Sequence, residues 1–236
     1  MFNSIKVIYS FLCTTLFLSS SVCASALNNE INTEHFTSSI SPIPKSVQET
    51  MKQFTWHPGC PIGLDQLSYI QMSYWGFDNK THQGVLIVNK ELASEVVVIF
   101  KKLFKLKFPI QSMRPMDDFK GSDDASMAAN NTSSFNCRDI TNKPGFFSQH
   151  SYGRAIDINP LINPFVKGSQ VLPPEGSRFI DRQQPAPGKI LKDDPVFILF
   201  TQNSWDWGAN WYDLQDHQHF EKRANGEKRD PYGIIP

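Results

Sequence analysis

Two short stretches, far apart in the chain, hold side chains that can bind one metal ion only if the fold brings them together. Catalytic zinc usually has three protein ligands drawn from His, Asp, Glu and Cys, with a fourth position open to water. Three residues of this chain fit that pattern, and two more titratable residues lie beside them. The predicted ligands are His150, Asp157 and His219, and the neighbours are Asp216 and His217.

The first stretch must turn back on itself to bring His150 and Asp157 to one ion. They are seven residues apart, and an extended chain would separate them by roughly 23 Å at about 3.3 Å per residue. Gly153 lies between them and can adopt backbone conformations that other residues avoid. A carboxylate in the apolar run that follows is costly to bury unless it is paired or binds a metal. An ion pair with Arg154 or a turn cap with Asn159 would also satisfy Asp157.

The second stretch allows two geometries, and the periodicity does not choose between them. In an extended strand, His217 and His219 lie on one side and Asp216 on the other, which favours a His-x-His ligand pair. In a turn, Asp216 and His219 come together instead. Asp216 is then placed to act as a general base beside a zinc-bound water.

The first 26 residues are typical of a secretory signal. Lys6 is their only charged residue, an apolar run follows, and Ala24 or Ala26 ends a small-residue cleavage site. The apolar run is too short to span a bilayer comfortably, so we expect no stable membrane span after cleavage. These features predict export to the periplasm or the extracellular space.

The remaining chain is close to neutral, with 22 basic and 23 acidic residues once Lys6 is removed from the 23 of each sign in the full sequence. This balance excludes the basic footprint of a nucleic-acid-binding protein. Of the four cysteines, Cys60 and Cys137 remain in a compartment that permits disulfides. A disulfide between them is one prediction, and two buried free thiols are the alternative.

Patterning predicts one domain of the α+β class, a small antiparallel sheet with flanking helices. Residues 27–55 are rich in Asn, Ser and Thr and are interpreted as a polar arm or linker, so the domain is expected to cover 56–236. Turn residues separate the first two predicted strands, which indicates a hairpin. The predicted strands cover 67–74, 84–88 and 110–114. Asn89 is predicted to cap a helix whose apolar residues recur at spacings of four and three from Leu92 to Leu106, and a second helix is predicted from Asp194 to Phe200.

The two stretches resemble the M15 family of zinc peptidases, which includes D-alanyl-D-alanine carboxypeptidases and related L-alanyl-D-glutamate endopeptidases. The resemblance covers about 67–222 and implies a hedgehog/DD-peptidase-like fold. The segments that carry it are Ser148-x-His150-x-x-Gly153-x-Ala155-x-Asp157, Asp216-x-x-His219-Phe220, Ser112-Met113-Arg114 with Asp117-Asp118, 130–135, and Trp205-x-Trp207-Gly208-x-x-Trp211.

The resemblance implies residue roles and a substrate class. His150, Asp157 and His219 would hold one zinc ion, and Asp216 would be the acid/base carboxylate. Arg114 would be catalytic or substrate-binding, because its planar guanidinium fork can hold a substrate carbonyl or carboxylate. Ser148 would either bind substrate or support the His150 loop. The resemblance also implies that the substrate is a peptidoglycan stem peptide. The enzyme would act on it either as a D-Ala carboxypeptidase or as an endopeptidase.

Two other interpretations remain open from the sequence. The fold could be kept as a zinc-containing module that binds cell-wall peptides without turnover. Alternatively, a lysostaphin-like peptidase would use His217 and His219 as a His-x-His ligand pair.

Overall fold

The longest strand pair is a hairpin, as the sequence predicted. In the computed structural model, β2 (Leu67–Trp75) and β3 (Thr81–Asn89) pair antiparallel along their full length. Asn79 occupies the turn with a φ of 58°, a left-handed conformation that Asn tolerates better than most residues. A further strand, β1 (Ser38–Ser41), pairs antiparallel with the outer side of β2. The result is a three-stranded sheet in the order β1-β2-β3.

Helix α2 (Ala93–Lys105) covers this sheet with its apolar face. Val96, Ile99 and Leu103 are fully or almost fully buried, which matches the predicted spacing of three and four. Asn89 was predicted to cap the helix, but the N-cap position is Leu92. The Asn89 side chain instead accepts a hydrogen bond from the Glu91 backbone at 3.1 Å and fixes the turn before the helix.

The residues predicted to form a polar arm are part of the fold from 38 onward. Helix α1 (Lys45–Phe54) follows β1, and its Met51 is fully buried in a second apolar cluster. Regular secondary structure therefore begins before residue 56, where the domain was predicted to start. The polar composition arises because β1 is an exposed edge strand held by backbone hydrogen bonds, and because Met51 is the one buried residue of α1.

Met51→Ala is expected to lower the free energy of unfolding by about 2 to 5 kcal/mol, the usual cost of truncating a buried Met in a core. Urea denaturation followed by circular dichroism would measure it. Phe54→Ala is the matched control, because Phe54 lies on the same helix but is 40% exposed and should cost much less. Equal losses for the two variants would contradict a folded role for α1.

The remaining elements are short and build the part of the molecule that carries the predicted ligands. Asp194 caps the predicted second helix by accepting a hydrogen bond from the Phe197 backbone at 2.8 Å. The predicted strand over 110–114 is reduced to two residues. These elements are β4 (Ser112–Met113), α3 (Asp123–Ala128), β5 (Asn131–Thr132), β6 (Asp139–Ile140), β7 (Lys143–Phe147), β8 (Ala155–Asp157), β9 (Phe165–Lys167), β10 (Gln170–Leu172), α4 (Pro195–Thr201), β11 (Asp206–Trp207), β12 (Gln215–Asp216) and β13 (His219–Glu221).

Two small sheets position the site. One has the order β11-β13-β8 and the other β10-β9-β12, and all of their pairings are antiparallel. The pairing of β4 with β5 is parallel. The predicted α+β class with small antiparallel sheets and flanking helices is confirmed.

The structure describes Met1 and residues 35–140 and 143–229. The described residues from His35 onward belong to one compact unit. The predicted signal peptide, apart from Met1, and the first residues of the predicted arm lie outside the described ranges. Across those ranges, none of the helices has both the length and the apolar character needed to cross a membrane.

A disulfide joins Cys60 to Cys137, as the first of the two alternatives predicted. It links the loop after α1 to the segment that precedes β6. Their Cα atoms are 6.0 Å apart, within the usual range for a disulfide.

Candidate metal site and its cavity

Three predicted ligands converge on one point. Asp157 Oδ2 lies 3.2 Å from His150 Nε2, and Asp157 Oδ1 lies 3.0 Å from His219 Nδ1. The two ring nitrogens are 3.2 Å apart. All three residues offer one donor atom to a common centre, and the two imidazoles are buried. The donor set fits a metal ion with nitrogen and oxygen ligands.

The local fold explains how the first stretch makes its turn. Ser148 accepts a hydrogen bond from the His150 backbone at 3.3 Å and begins a single 3₁₀ turn. Gly153 ends that turn with a φ of 63°. A Cβ at this position would lie 2.6 Å from the Asn89 backbone nitrogen, so both the conformation and the close approach require glycine. The chain then enters β8, which carries Asp157.

Strand pairing brings the second stretch to the first. His219 on β13 is directly opposite Asp157 on β8, and residues opposite each other in an antiparallel pair point to the same face. This register therefore places the imidazole beside the carboxylate. The predicted contact between these distant stretches is present in the structure.

Hydrogen bonds orient both imidazole rings. His150 Nδ1 donates to the Ser134 carbonyl oxygen at 2.6 Å, and His219 Nε2 donates to Glu221 Oε2 at 3.1 Å. Each ring thus directs its remaining nitrogen at the common centre. Glu221 is itself held by Arg223, whose Nε donates to Glu221 Oε1 at 2.8 Å. Such bonds to the far nitrogen are the usual support of metal-binding imidazoles.

Sequence reasoning missed Glu221, although its position held a signal. Glu221 is two residues after His219, and alternate residues of a strand share one face. A carboxylate at that spacing was therefore placed to contact the imidazole. Because Glu221 is only 4% exposed, its charge needs the two partners that it has.

The contact between Asp157 and His219 shifts the pKa of both side chains. Burial favours a neutral Asp157, but the charges and hydrogen bonds of His150 and His219 hold the pKa of Asp157 well below its usual range. Burial also disfavours a charged His219, yet its hydrogen bonds to Asp157 and Glu221 raise the pKa of His219 to about 10. The raised pKa favours a protonated His219, and a metal ion that binds its Nδ1 must displace that proton.

Asp216 lies beside the three donors and also lines the cavity. Its Oδ1 is buried and has no hydrogen-bond partner among the described residues. Burial raises the pKa of Asp216 to about 6, against the opposing charge of His219. A Cβ on Gly208 would lie 2.7 Å from Asp216 Cβ, so the glycine lets β12 pack closely enough to place this carboxylate.

His217 does not join the site. Strand β12 ends at Asp216 and β13 begins at His219, so the stretch forms the turn geometry. His217 is buried outside the cavity, and burial with the positive charges of Arg182 and Lys189 lowers its pKa to about 4. The His217 and His219 ligand pair of the lysostaphin-like alternative is not formed.

Arg114, predicted to be catalytic or substrate-binding, does not line the cavity that contains the three donors. Its Nε donates to Asp118 at 2.8 Å, and its side chain is 55% exposed. It lines a separate cavity and is not among the residues around the metal donors. Two hydrogen bonds to the Asn131 side chain hold the Arg114 backbone at this position. The Arg114 backbone nitrogen donates to Asn131 Oδ1 and Asn131 Nδ2 donates to the Arg114 carbonyl oxygen, each at 3.0 Å. Asp118 then pairs with the guanidinium.

A cavity of about 340 Å³ opens over the three donors. Ser148 lines it, and its hydroxyl accepts a hydrogen bond from the His150 backbone. Three arginines that the sequence reasoning did not consider also line it. Among the described residues, these arginines each pair with a carboxylate: Arg138 with Asp123, Arg223 with Glu221 and Arg229 with Asp213.

Glu221→Gln is expected to weaken metal binding by about 10- to 100-fold, the usual cost of removing the partner of a metal-binding imidazole. The amide keeps the size of the side chain but no longer holds a full negative charge against His219 and Arg223. Competition with a chelating dye would measure metal affinity. Glu49→Gln, at a surface residue paired with Lys52, is the control. A variant that binds metal as tightly as the parent would exclude an orienting role for Glu221.

Comparison with known families matched residues 141–222 to the M15 peptidase family described as D-alanyl-D-alanine carboxypeptidase. No curated protein and no solved structure matched the chain. The matched segment contains His150, Asp157, Asp216 and His219, whereas Arg114 lies before it. The resemblance inferred from the two stretches is confirmed over this segment. Residues 141–222 are therefore similar to the M15 peptidase family.

Proposed function

We propose that the chain is an exported zinc-dependent peptidase that hydrolyses peptide bonds in peptidoglycan stem peptides. The observation that carries this proposal is the convergence of His150, Asp157 and His219 with Asp216 beside them, whose Oδ1 has no hydrogen-bond partner among the described residues. Peptidases of the M15 family act on peptidoglycan in general and depend on zinc. The sequence features of the first 26 residues support export.

The donor set suits zinc in particular. Two neutral imidazoles and one carboxylate are a common ligand set for catalytic zinc, which keeps a further position open. The open cavity over the three donors leaves room for substrate at that position. When bound, zinc would polarise the scissile carbonyl and make water a better nucleophile at neutral pH.

Asp216 is the residue we assign to proton transfer. Its unpartnered Oδ1 can accept a proton from the attacking water and later donate it to the leaving amine. A group that must do both works best with a pKa near the working pH. Burial shifts the pKa of Asp216 upward in that direction.

The choice between carboxypeptidase and endopeptidase depends on the cavity arginines. A carboxypeptidase must bind the terminal carboxylate of its substrate, for which arginine has the matching planar fork. Because each of Arg138, Arg223 and Arg229 is paired with a protein carboxylate, one of them would have to exchange partners. An endopeptidase needs no such exchange. Either activity is compatible with the proposed zinc chemistry.

Incubation of the protein with defined stem peptides, followed by mass spectrometry of the products, tests the proposal. We expect cleavage that stops on chelation and returns when zinc is added. Release of a terminal D-Ala would identify a carboxypeptidase, and internal fragments would identify an endopeptidase. Stem peptides that bind but stay intact would overturn the proposal and favour a binding module.

A further inference from the structure

A second group of metal-binding side chains lies at the disulfide. His57 Nδ1 donates to the Pro58 carbonyl oxygen at 3.0 Å. Its other ring nitrogen, Nε2, therefore presents a lone pair and lies 3.7 Å from Cys137 Sγ. The Cys60 sulfur completes a set in which all ligand atoms lie within 4.8 Å of one another. One imidazole and two sulfurs thus meet at one point outside the cavity described above.

Backbone hydrogen bonds hold these residues in place independently of the sulfur–sulfur bond. The Cys60 backbone nitrogen donates to the His57 carbonyl oxygen at 3.0 Å and closes the turn between them. The Cys137 backbone nitrogen donates to the Thr55 carbonyl oxygen, also at 3.0 Å. Trp56 adds a side-chain bond to the Ile62 carbonyl oxygen at 3.0 Å. The two cysteines therefore stay neighbours when the disulfide is reduced.

The spacing matches a tetrahedral zinc site. Zinc–sulfur bonds of about 2.3 Å and zinc–nitrogen bonds of about 2.0 to 2.1 Å place a sulfur and a nitrogen ligand about 3.6 Å apart. The His57 and Cys137 atoms are already separated by 3.7 Å. The two sulfurs must move to about 3.8 Å apart, which rotation of the freed cysteine side chains can supply.

We propose that reduction of the Cys60–Cys137 disulfide opens a second metal site, in which His57, Cys60 and Cys137 bind a soft divalent cation, zinc in the first instance. His57 is exposed and Cys60 is partly exposed, so water can complete the fourth position. Thiolate and imidazole ligands in this combination are typical of zinc sites. The ion would then cross-link the two segments that the disulfide joins in the oxidised chain.

The chemistry balances with a dithiol as the reductant. The dithiol supplies two electrons and two protons, the bond between the cysteine sulfurs breaks, and the dithiol becomes a cyclic disulfide while Cys60 and Cys137 become thiols. Metal binding then releases both thiol protons, and His57 binds as the neutral imidazole through Nε2. In the sequence, Arg138 follows Cys137 directly and lines the cavity over the first site. The cross-link therefore supports one wall of that cavity.

Cobalt titration of the whole protein tests the inference. One sample is oxidised, and the other is reduced with dithiothreitol that is removed before metal is added. We expect the reduced protein to bind one more cobalt ion than the oxidised protein and to show thiolate-to-cobalt charge-transfer absorption that the oxidised protein lacks. Because the first site contains no sulfur, the part of this absorption that depends on both Cys60 and Cys137 reports the second site, whatever the outcome for peptidase activity.

Two variants sharpen the test. Cys60→Ser should abolish the absorption, and His57→Ala should weaken cobalt binding at this site by at least about tenfold, since loss of a ligand costs no less than loss of its supporting partner. His82→Ala is the matched control, because His82 is also surface-exposed but pairs with Asp78. Equal cobalt stoichiometry in both redox states would overturn the inference. So would a reduced chain that loses its near-ultraviolet circular dichroism and binds no cobalt through its thiols.

Discussion

Asp216→Asn is expected to lower kcat on stem peptides by about 10² to 10⁴-fold, the range that a positioned acid/base group contributes, while zinc stays bound. Asparagine has the size of aspartate and keeps an acceptor oxygen, so it fits behind Gly208 where β12 packs closely. It cannot take a proton from water. Product formation by mass spectrometry and zinc content by elemental analysis would measure the two quantities in the same samples.

The control for this substitution is Asp118→Asn. Asp118 is a carboxylate outside the cavity that pairs with Arg114, and its loss should leave turnover and zinc content unchanged. If Asp216→Asn kept full activity, proton transfer would have to be assigned to another group. A zinc content that fell together with activity would instead make Asp216 a ligand.

Asp157→Asn is expected to weaken zinc binding by at least about 100-fold, because a ligand is lost as well as the partner of two imidazoles, and outer partners alone account for 10- to 100-fold. The substitution removes the charge that faces His150 Nε2 and His219 Nδ1 at 3.2 and 3.0 Å. Activity should fall to the level of the chelated parent. Competition against a chelating dye would measure the affinity.

The two aspartate variants together separate binding from catalysis. Asp157→Asn should recover part of its activity when zinc is raised far above the parent's requirement, whereas Asp216→Asn should not respond to added zinc. Each variant has the same change of atoms, so a difference in zinc response reflects position alone. An Asp157→Asn protein with unchanged zinc affinity would contradict its assignment as a ligand.

Local sequence signals predicted much of the site because the turn and the strand that carry it are local structures. Gly153 indicated the turn that follows His150, and its left-handed φ of 63° confirms the reason. The hairpin over 67–89 followed from alternation and a turn signal. The contact between Asp157 and His219 was predicted from the metal-binding chemistry of the residues and from the family resemblance. No local sequence pattern indicates which distant strands will pair.

Other features depend on tertiary contacts that the sequence does not display. Arg114 was predicted to act in the site. In the structure, Asn131 hydrogen-bonds its backbone and Asp118 forms an ion pair with its guanidinium group. The role of β1 was hidden because an edge strand can be polar on both faces. The choice of turn over strand at His217 likewise depends on packing, because the imidazole is buried and does not line the cavity.

The central proposal is that one zinc ion, held by His150, Asp157 and His219, is required for peptide hydrolysis. The most direct measurement is a titration of the chelated, disulfide-intact protein with zinc, in which turnover of a stem peptide and bound zinc are followed together. We predict that turnover rises in proportion to bound zinc and levels off at one ion per chain. Turnover that is already complete without zinc, or zinc that binds fully without restoring turnover, would contradict the account.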